Sequence, residues 1–230
     1  MTVCICVILT ACSSDPAPVP PTDTGGDVYS LTDYALEKRI GCSVTLRFTT
    51  RDISSSGDTV VTVGSDYRYT VVDTAFLLRD SLRCIAVKRE TITNGVVRLT
   101  DTTYQWVGPR DLIMYERLTD TIGRRRLATP LSPGTRFILR ENLGMVESNT
   151  YVIQTLKAEV VTTTGTLRSC AHVRMASSTD APEGRTTFSD EVWLSPKLGV
   201  VKQVQTRTFT AMGTSLVSTT ILEFILIARS

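Results

Sequence analysis

The stretch YVIQTLKAEVVTTTGTLRSCAHVRM, Tyr151 to Met175, decides the fold. Val152, Leu156, Ala158 and Val160 oppose Thr155, Lys157 and Glu159, a two-residue repeat that suits a half-buried β-strand and not a helix. Thr164-Gly165 marks a turn. The return strand is expected to put Leu167, Ala171, Val173 and Met175 inward and Arg168, Cys170, His172 and Arg174 outward. A strand of about 13 residues spans roughly 43 Å, over twice the usual length. Strands that long are expected to curl into a barrel or a deeply curved sheet.

The same alternation spreads outward from this pair. Val44, Leu46 and Phe48 oppose Ser43, Thr45, Arg47 and Thr49. Asn94-Gly95 lies between Thr91-Ile92-Thr93 and Val96-Val97-Arg98-Leu99, and a type I′ hairpin turn needs two residues that tolerate positive φ. Ser195-Pro196-Lys197-Leu198-Gly199 separates the strand of Trp193 from one running Val200 to Phe209, and Met212-Gly213 marks the next reversal. The last strand, Leu216 to Ala228, is apolar on both faces near its end. It is expected to lie centrally or to be covered on its second face by the segment near Asp33 to Arg39, the one stretch that reads as a helical turn or two. The fold expected is all-β, or β-dominated with one or two short helices, as a strongly curved antiparallel sheet: a half-barrel or barrel.

The N-terminus reads as an address. Val3 to Leu9 is apolar, and Thr10-Ala11-Cys12 is followed by an abrupt change to Ser, Asp and Pro. Leu9-Thr10-Ala11-Cys12 looks like the bacterial lipobox, in which small residues let the chain enter a peptidase site and the thiol takes up lipid. The expected organisation is a lipoprotein signal peptide over 1–11, a lipidated Cys12 with a Pro/Gly-rich tether over 12–27, and a single β-rich domain over 28–230. Pro16, Pro18, Pro20 and Pro21 favour extended polyproline II, so the tether can hold the domain up to roughly 45 Å from the bilayer. Two or three acyl chains at about 0.8 kcal/mol per buried CH₂ anchor far more firmly than one myristoyl. Ser13 after Cys12 favours the outer membrane, with the periplasmic or surface face left open. No Lys or Arg precedes the apolar segment, which points to a translation start upstream of Met1. Past Asp27 the longest apolar run, Phe224 to Ala228, is far short of the roughly 20 residues of a membrane-spanning helix.

Three further blocks carry a resemblance. Leu131-Ser132-Pro133-Gly134-Thr135-Arg136-Phe137, Gly165-Thr166-Leu167-Arg168-Ser169-Cys170, and Trp193-Leu194-Ser195-Pro196-Lys197-Leu198-Gly199-Val200-Val201-Lys202-Gln203 resemble successive motifs of a family of bacterial lipoproteins. The likeness covers the C-terminal half best and extends to Tyr34–Phe48. It departs at Phe137, where the family commonly has Trp. What it implies is a curved antiparallel half-barrel similar to the LolA/LolB lipoprotein carriers, with no established activity attached.

Chemistry is harder to find. The net charge is +2 and no dense cationic run marks a nucleic-acid face. His172 is the single histidine, so a His-rich metal site is excluded. Cys170 and His172 share a strand face on alternation, yet i,i+2 neighbours sit about 7 Å apart, and a solvated face with Arg168 and Arg174 is the simpler reading. Gly-x-Ser-x-Gly, Gly-rich phosphate loops and Cys-x-x-Cys are absent. Asp190-Glu191 reads as two surface charges on opposite faces. Cys42, Cys84 and Cys170 are an odd set in a compartment that permits disulfides; alternation sets Cys42 and Cys170 on opposite faces, a Cys42–Cys84 bridge stays open, and three free, mostly buried thiols is the simpler reading. Arg124-Arg125-Arg126 reads as a solvated strand edge, with lipid headgroups or an acidic partner as the functional alternative.

The function expected is therefore that of a membrane-anchored lipoprotein of the cell envelope. It is read as non-catalytic and without a cofactor, binding a hydrophobic ligand or another envelope protein but no nucleic acid. The alternatives are a purely structural or interaction module with a filled interior, and an enzyme whose site is not legible. An apolar cavity, a solid core, or a cleft with convergent ionisable groups would tell the three apart.

Overall fold

A computed structural model describes residues 29–140, 150–213 and 217–230. They form twelve strands: β1 Ser43–Ile53, β2 Thr59–Leu78, β3 Leu82–Thr93, β4 Val96–Val107, β5 Asp111–Tyr115, β6 Arg124–Ala128, β7 Arg136–Ile138, β8 Thr150–Thr162, β9 Gly165–Ala181, β10 Gly184–Ser195, β11 Gly199–Ala211 and β12 Val217–Arg229. All belong to one antiparallel sheet in the order β6-β5-β4-β3-β2-β1-β12-β11-β10-β9-β8-β7. Every neighbouring pair except β1–β12 is also consecutive in sequence, so two six-strand meanders meet at the ladder that pairs Val44 with Arg229. The outer strands of the two meanders, β6 and β7, come together without a ladder, where the Arg125 N–H donates to Leu139 O at 2.8 Å. The result is a strongly curved sheet that stops short of a closed barrel.

The turn chemistry agrees with the sequence. Asn94 and Gly95 have φ of 52° and 75°, and Thr93 pairs with Val96 across them. Gly64 has a different duty: a Cβ there would stand 2.5 Å from the Phe48 ring, which packs 4.8 Å from Phe224. Glycine at 64 lets β2 pass close beneath those rings.

Strict alternation fails at the bulges. At the start of β8 the buried residues are Tyr151 and Ile153, with Val152 between them turned away; the register then shifts three times against β9, and Val160 is buried as expected. Ser169 in β9 has φ of 57°, so Cys170 and Ala171 are both buried. The outward position expected for Cys170 is thus overturned by one added residue in the pleat.

No helix occurs among the described residues, and the turn or two of helix expected near Asp33 to Arg39 is a strap instead. The Asp33 carboxylate accepts from Ser30 N at 2.7 Å and Ser30 Oγ at 2.8 Å, contacts that hold its carboxyl below the ordinary 3.8. Beyond this turn the backbone bonds sideways, from Lys197 N to Asp33 O and from Glu37 N to Lys197 O, and Leu36 bridges Leu198. A helix would leave those sheet-facing groups unpaired, and three consecutive buried residues, Tyr34, Ala35 and Leu36, suit a wedge better than an amphipathic face. The strap plugs one end of the curved sheet, joining Val44, Val71, Val87, Leu127, Ile153, Val173, Leu194, Val201 and Leu226 in one core. β12 is central as expected, between β1 and β11, but the strap packs with Leu226 inside; Ile221, Ile225 and Ile227 remain part-exposed.

Candidate functional site

Above the strap the core opens into a cavity of about 230 Å³. Its apolar part is formed by Leu36, Val44, Leu46, Leu198, Val200 and Phe224, with the Tyr67 ring 5.7 Å from that of Phe224. The opposite wall is polar because the register places it so: Val44 pairs with Tyr69, Tyr69 with Arg89, Arg89 with Asp101, and further along Gln105 with Met114 and Met114 with Arg124. Arg89, Glu116, Arg124 and Arg126 therefore face the same space.

These charges are unequally satisfied. Arg89 donates to both oxygens of Asp101, at 2.9 and 2.5 Å, and to Glu116 Oε2 at 3.0 Å; the Asp101 contact above all keeps it firmly protonated. Arg124 reaches Glu116 only at 3.9 Å. Arg126 has no hydrogen bond and no ion pair among the described residues, and the Nε atoms of Arg124 and Arg126 are shut off from solvent without a partner. Arg125, facing the other way, meets Asp111 Oδ1 at 2.6 Å and Ile138 O at 3.0 Å. The arginine triplet does sit on the sheet's end strand, and Arg124 keeps 43% of its side chain exposed as a solvated edge would, but the expectation is corrected for Arg125, which is 14% exposed. β6 turns against the end of β7, and the guanidiniums of Arg124 and Arg126 line the cavity.

Behind the cavity lies a second polar group. Asp190 is buried, and its carboxyl oxygens accept from the Tyr151 hydroxyl, from Gln203 Nε2 at 2.9 and 3.1 Å, and from Gln205 Nε2 at 3.3 Å. Burial first, and Asp190 second, push the Tyr151 phenol up, while the positive charges of Arg126 and Arg124 act against that. The expectation of two surface charges at Asp190-Glu191 holds only for Glu191. That residue lies on the outer face with His172 Nε2 at 2.9 Å and Arg174 at 3.7 Å.

His172 stacks on Trp193 with ring centroids 4.4 Å apart, and burial lowers its basicity more than Glu191 restores it. Cys170 points to the opposite, inner side, its thiol pushed up to about 11 by burial, so the two residues do not form a thiolate–imidazole pair. Cys42 and Cys84 are likewise buried free thiols. Among the described residues no three His, Cys, Asp or Glu side chains converge to hold a metal. The lipobox residues Leu9, Thr10 and Ala11 and the lipid-attachment residue Cys12 lie outside the described residues.

The cavity itself was not foreseen as a mixed site. Alternation within Arg124-Arg125-Arg126 does send the first and third to one side, a usable signal. Nothing local, however, says that this side is the inner one, since Leu127 and Ala128 are both buried. Tyr151 and Asp190 lie 39 residues apart, and no short-range pattern links them.

No family model matches the chain, and no curated protein matches it significantly. Among solved structures, a protein from Bacteroides fragilis described as exported and as having a YmcC-like fold superposes with a TM-score of 0.50 at 13% identity, covering 85% of this chain and 98% of that one. The chain has this fold. A protein from Parabacteroides distasonis described as a lipoprotein gives a TM-score of 0.44 at 14% identity, over 88% of this chain and all of that one. At such identities the likeness is of architecture, and the YmcC-like fold brings no chemistry with it.

Proposed function

We propose that this chain is a lipid-anchored lipoprotein of the bacterial cell envelope, non-catalytic, that holds a small hydrophobic ligand in the cavity above its strap. The cavity is the observation that carries the ligand reading: it is lined on one side by Leu46, Val200 and Phe224 and is neither a filled core nor a cleft that gathers a nucleophile and a base. The buried thiols and the outward His172 support the non-catalytic part.

The envelope address rests on Leu9-Thr10-Ala11-Cys12, and the exported character described for the Bacteroides fragilis protein of the same fold supports it. Ser13 favours the outer membrane, and the likeness to LolA/LolB half-barrels read from the sequence blocks belongs to the same proposal. Docking to another envelope protein is the second reading. It is favoured by exposed apolar residues on the adjacent ends of two hairpins: Val60, Val61 and Val63 in β2, and Val96, Val97 and Leu99 in β4.

Two measurements test this. Replacing Cys12→Ala should move the protein from the membrane pellet to the soluble fraction; a variant that stays with the membrane overturns the anchor. Native mass spectrometry of the full chain carrying Cys12→Ala should show a bound small molecule, and repeated absence of added mass from folded protein counts against the ligand cavity.

A further inference from the structure

We propose that the ligand of this cavity is an anionic amphiphile. Its carboxylate or phosphate head lies between the guanidiniums of Arg124 and Arg126, and its apolar body lies on Leu46, Val200 and Phe224. This rests on the ligand-cavity reading and adds the chemistry of the head group.

The inventory of charges carries it. Three guanidiniums line the cavity against one carboxylate, Glu116. Glu116 is already engaged by Arg89 and stands 3.9 Å from Arg124, which leaves Arg126 without a counter-ion among the described residues. Asp190, the nearby carboxyl group, has both oxygens taken by Tyr151, Gln203 and Gln205. The Nε donors of Arg124 and Arg126 are out of water and unbonded, a state that costs free energy unless something supplies acceptors.

A planar guanidinium presents a fork of donors that matches two oxygens of a carboxylate or phosphate. Arg124 pairs with Met114, Arg126 is the extra residue where the register shifts between Arg125 and Leu127, and both line the cavity, so together they offer two such forks. An uncharged or cationic ligand would leave both forks empty. Pockets that take drug-sized ligands measure roughly 300–1,000 Å³. With about 230 Å³ available, the cavity suits a short acyl chain or the head end of a longer one.

The test is isothermal titration calorimetry on the full chain carrying Cys12→Ala, with decanoate, decyl phosphate, decanol and decylammonium as probes. Expected is at least tenfold tighter binding of decanoate or decyl phosphate than of decanol, with decylammonium weakest; the tighter of the two anions identifies the head group. The double variant Arg124→Gln, Arg126→Gln should bring the anions to the level that decanol shows on the same variant. Arg126→Lys, which keeps the charge and loses the fork, should fall between, and a urea midpoint for each variant establishes that it is folded. Should decanol bind as tightly as the anions, or the double variant keep its preference for them, the head-group assignment is wrong while the cavity reading stands. If none of the four probes binds, the cavity reading falls as well. The comparison of probes on the unsubstituted site decides the matter even if a variant does not fold.

Discussion

Asp190→Ala is expected to lower the stability of the domain by about 3 kcal/mol, read as a fall in the urea midpoint at unchanged m-value. The side chain is 5% exposed, and its removal strands the Tyr151 hydroxyl and the amide donors of Gln203 and Gln205 inside the sheet. Each buried donor left unmatched costs roughly 1–3 kcal/mol, whereas the bonds themselves contribute less than that. A double-mutant cycle makes the cause visible. Tyr151→Phe alone should cost about 1 kcal/mol, but in the Asp190→Ala background it should cost less or even stabilise, because it removes one of the stranded donors. Additive effects would show that the loss at Asp190 comes from something other than this network.

The second large effect is expected at the strap. Tyr34→Ala should destabilise by about 3–5 kcal/mol, the range for removing a fully buried aromatic ring. Tyr34 has no exposed surface, packs 5.8 Å from Tyr29 and directs its hydroxyl to Ser169 O at 3.4 Å. It also lines a separate space of about 30 Å³ that shares Gln105, Met114, Arg126 and Val200 with the ligand cavity. Truncation should join the two spaces, so folded Tyr34→Ala protein should accept a longer acyl probe than the parent. Tyr34→Phe keeps the packing and serves as the control, with an expected loss of about 1 kcal/mol for the single hydrogen bond. An Ala variant with a parent-like midpoint would mean that the strap does not hold the core.

The parts of this molecule that were readable in advance are those set by local rules. Asn94-Gly95 makes its turn because the dipeptide tolerates the backbone the turn needs, and Val44 and Leu46 face inward because the pleat has period two. Reading failed where one residue was added to that period. Ser169 takes a positive φ and carries Cys170 to the inner side, and the shifts along β8 exchange Val152 for Tyr151 and Ile153. A serine carries no obligatory signal for such a conformation, so alternation alone puts the thiol on the wrong face.

The site was less readable than the fold for a different reason. Arg124, Arg126 and Asp190 look like surface residues by type, since isolated charges are rarely buried. Asp190 is satisfied inside only because Tyr151 of β8 and Gln203 and Gln205 of β11 come to it from two other strands. The Asp33 segment misled through its spacing: its backbone partners lie in the turn at Lys197, more than 150 residues away in the chain, not one helical turn on.

The meeting of β1 with β12 has a kinetic consequence. Most ladders in this sheet join strands that follow one another along the chain, so each six-strand half can grow hairpin by hairpin over short separations. The Val44–Arg229 ladder is the exception, drawing together segments from opposite ends of the domain. Loop-closure entropy rises by about 0.6 kcal/mol for each doubling of the separation, so this zipper is the most expensive to start and gains most from two halves already formed. Substitutions in the β1–β12 seam should therefore act on the rate at which the halves dock, whereas those at Asn94-Gly95 act on how quickly one of the halves takes shape.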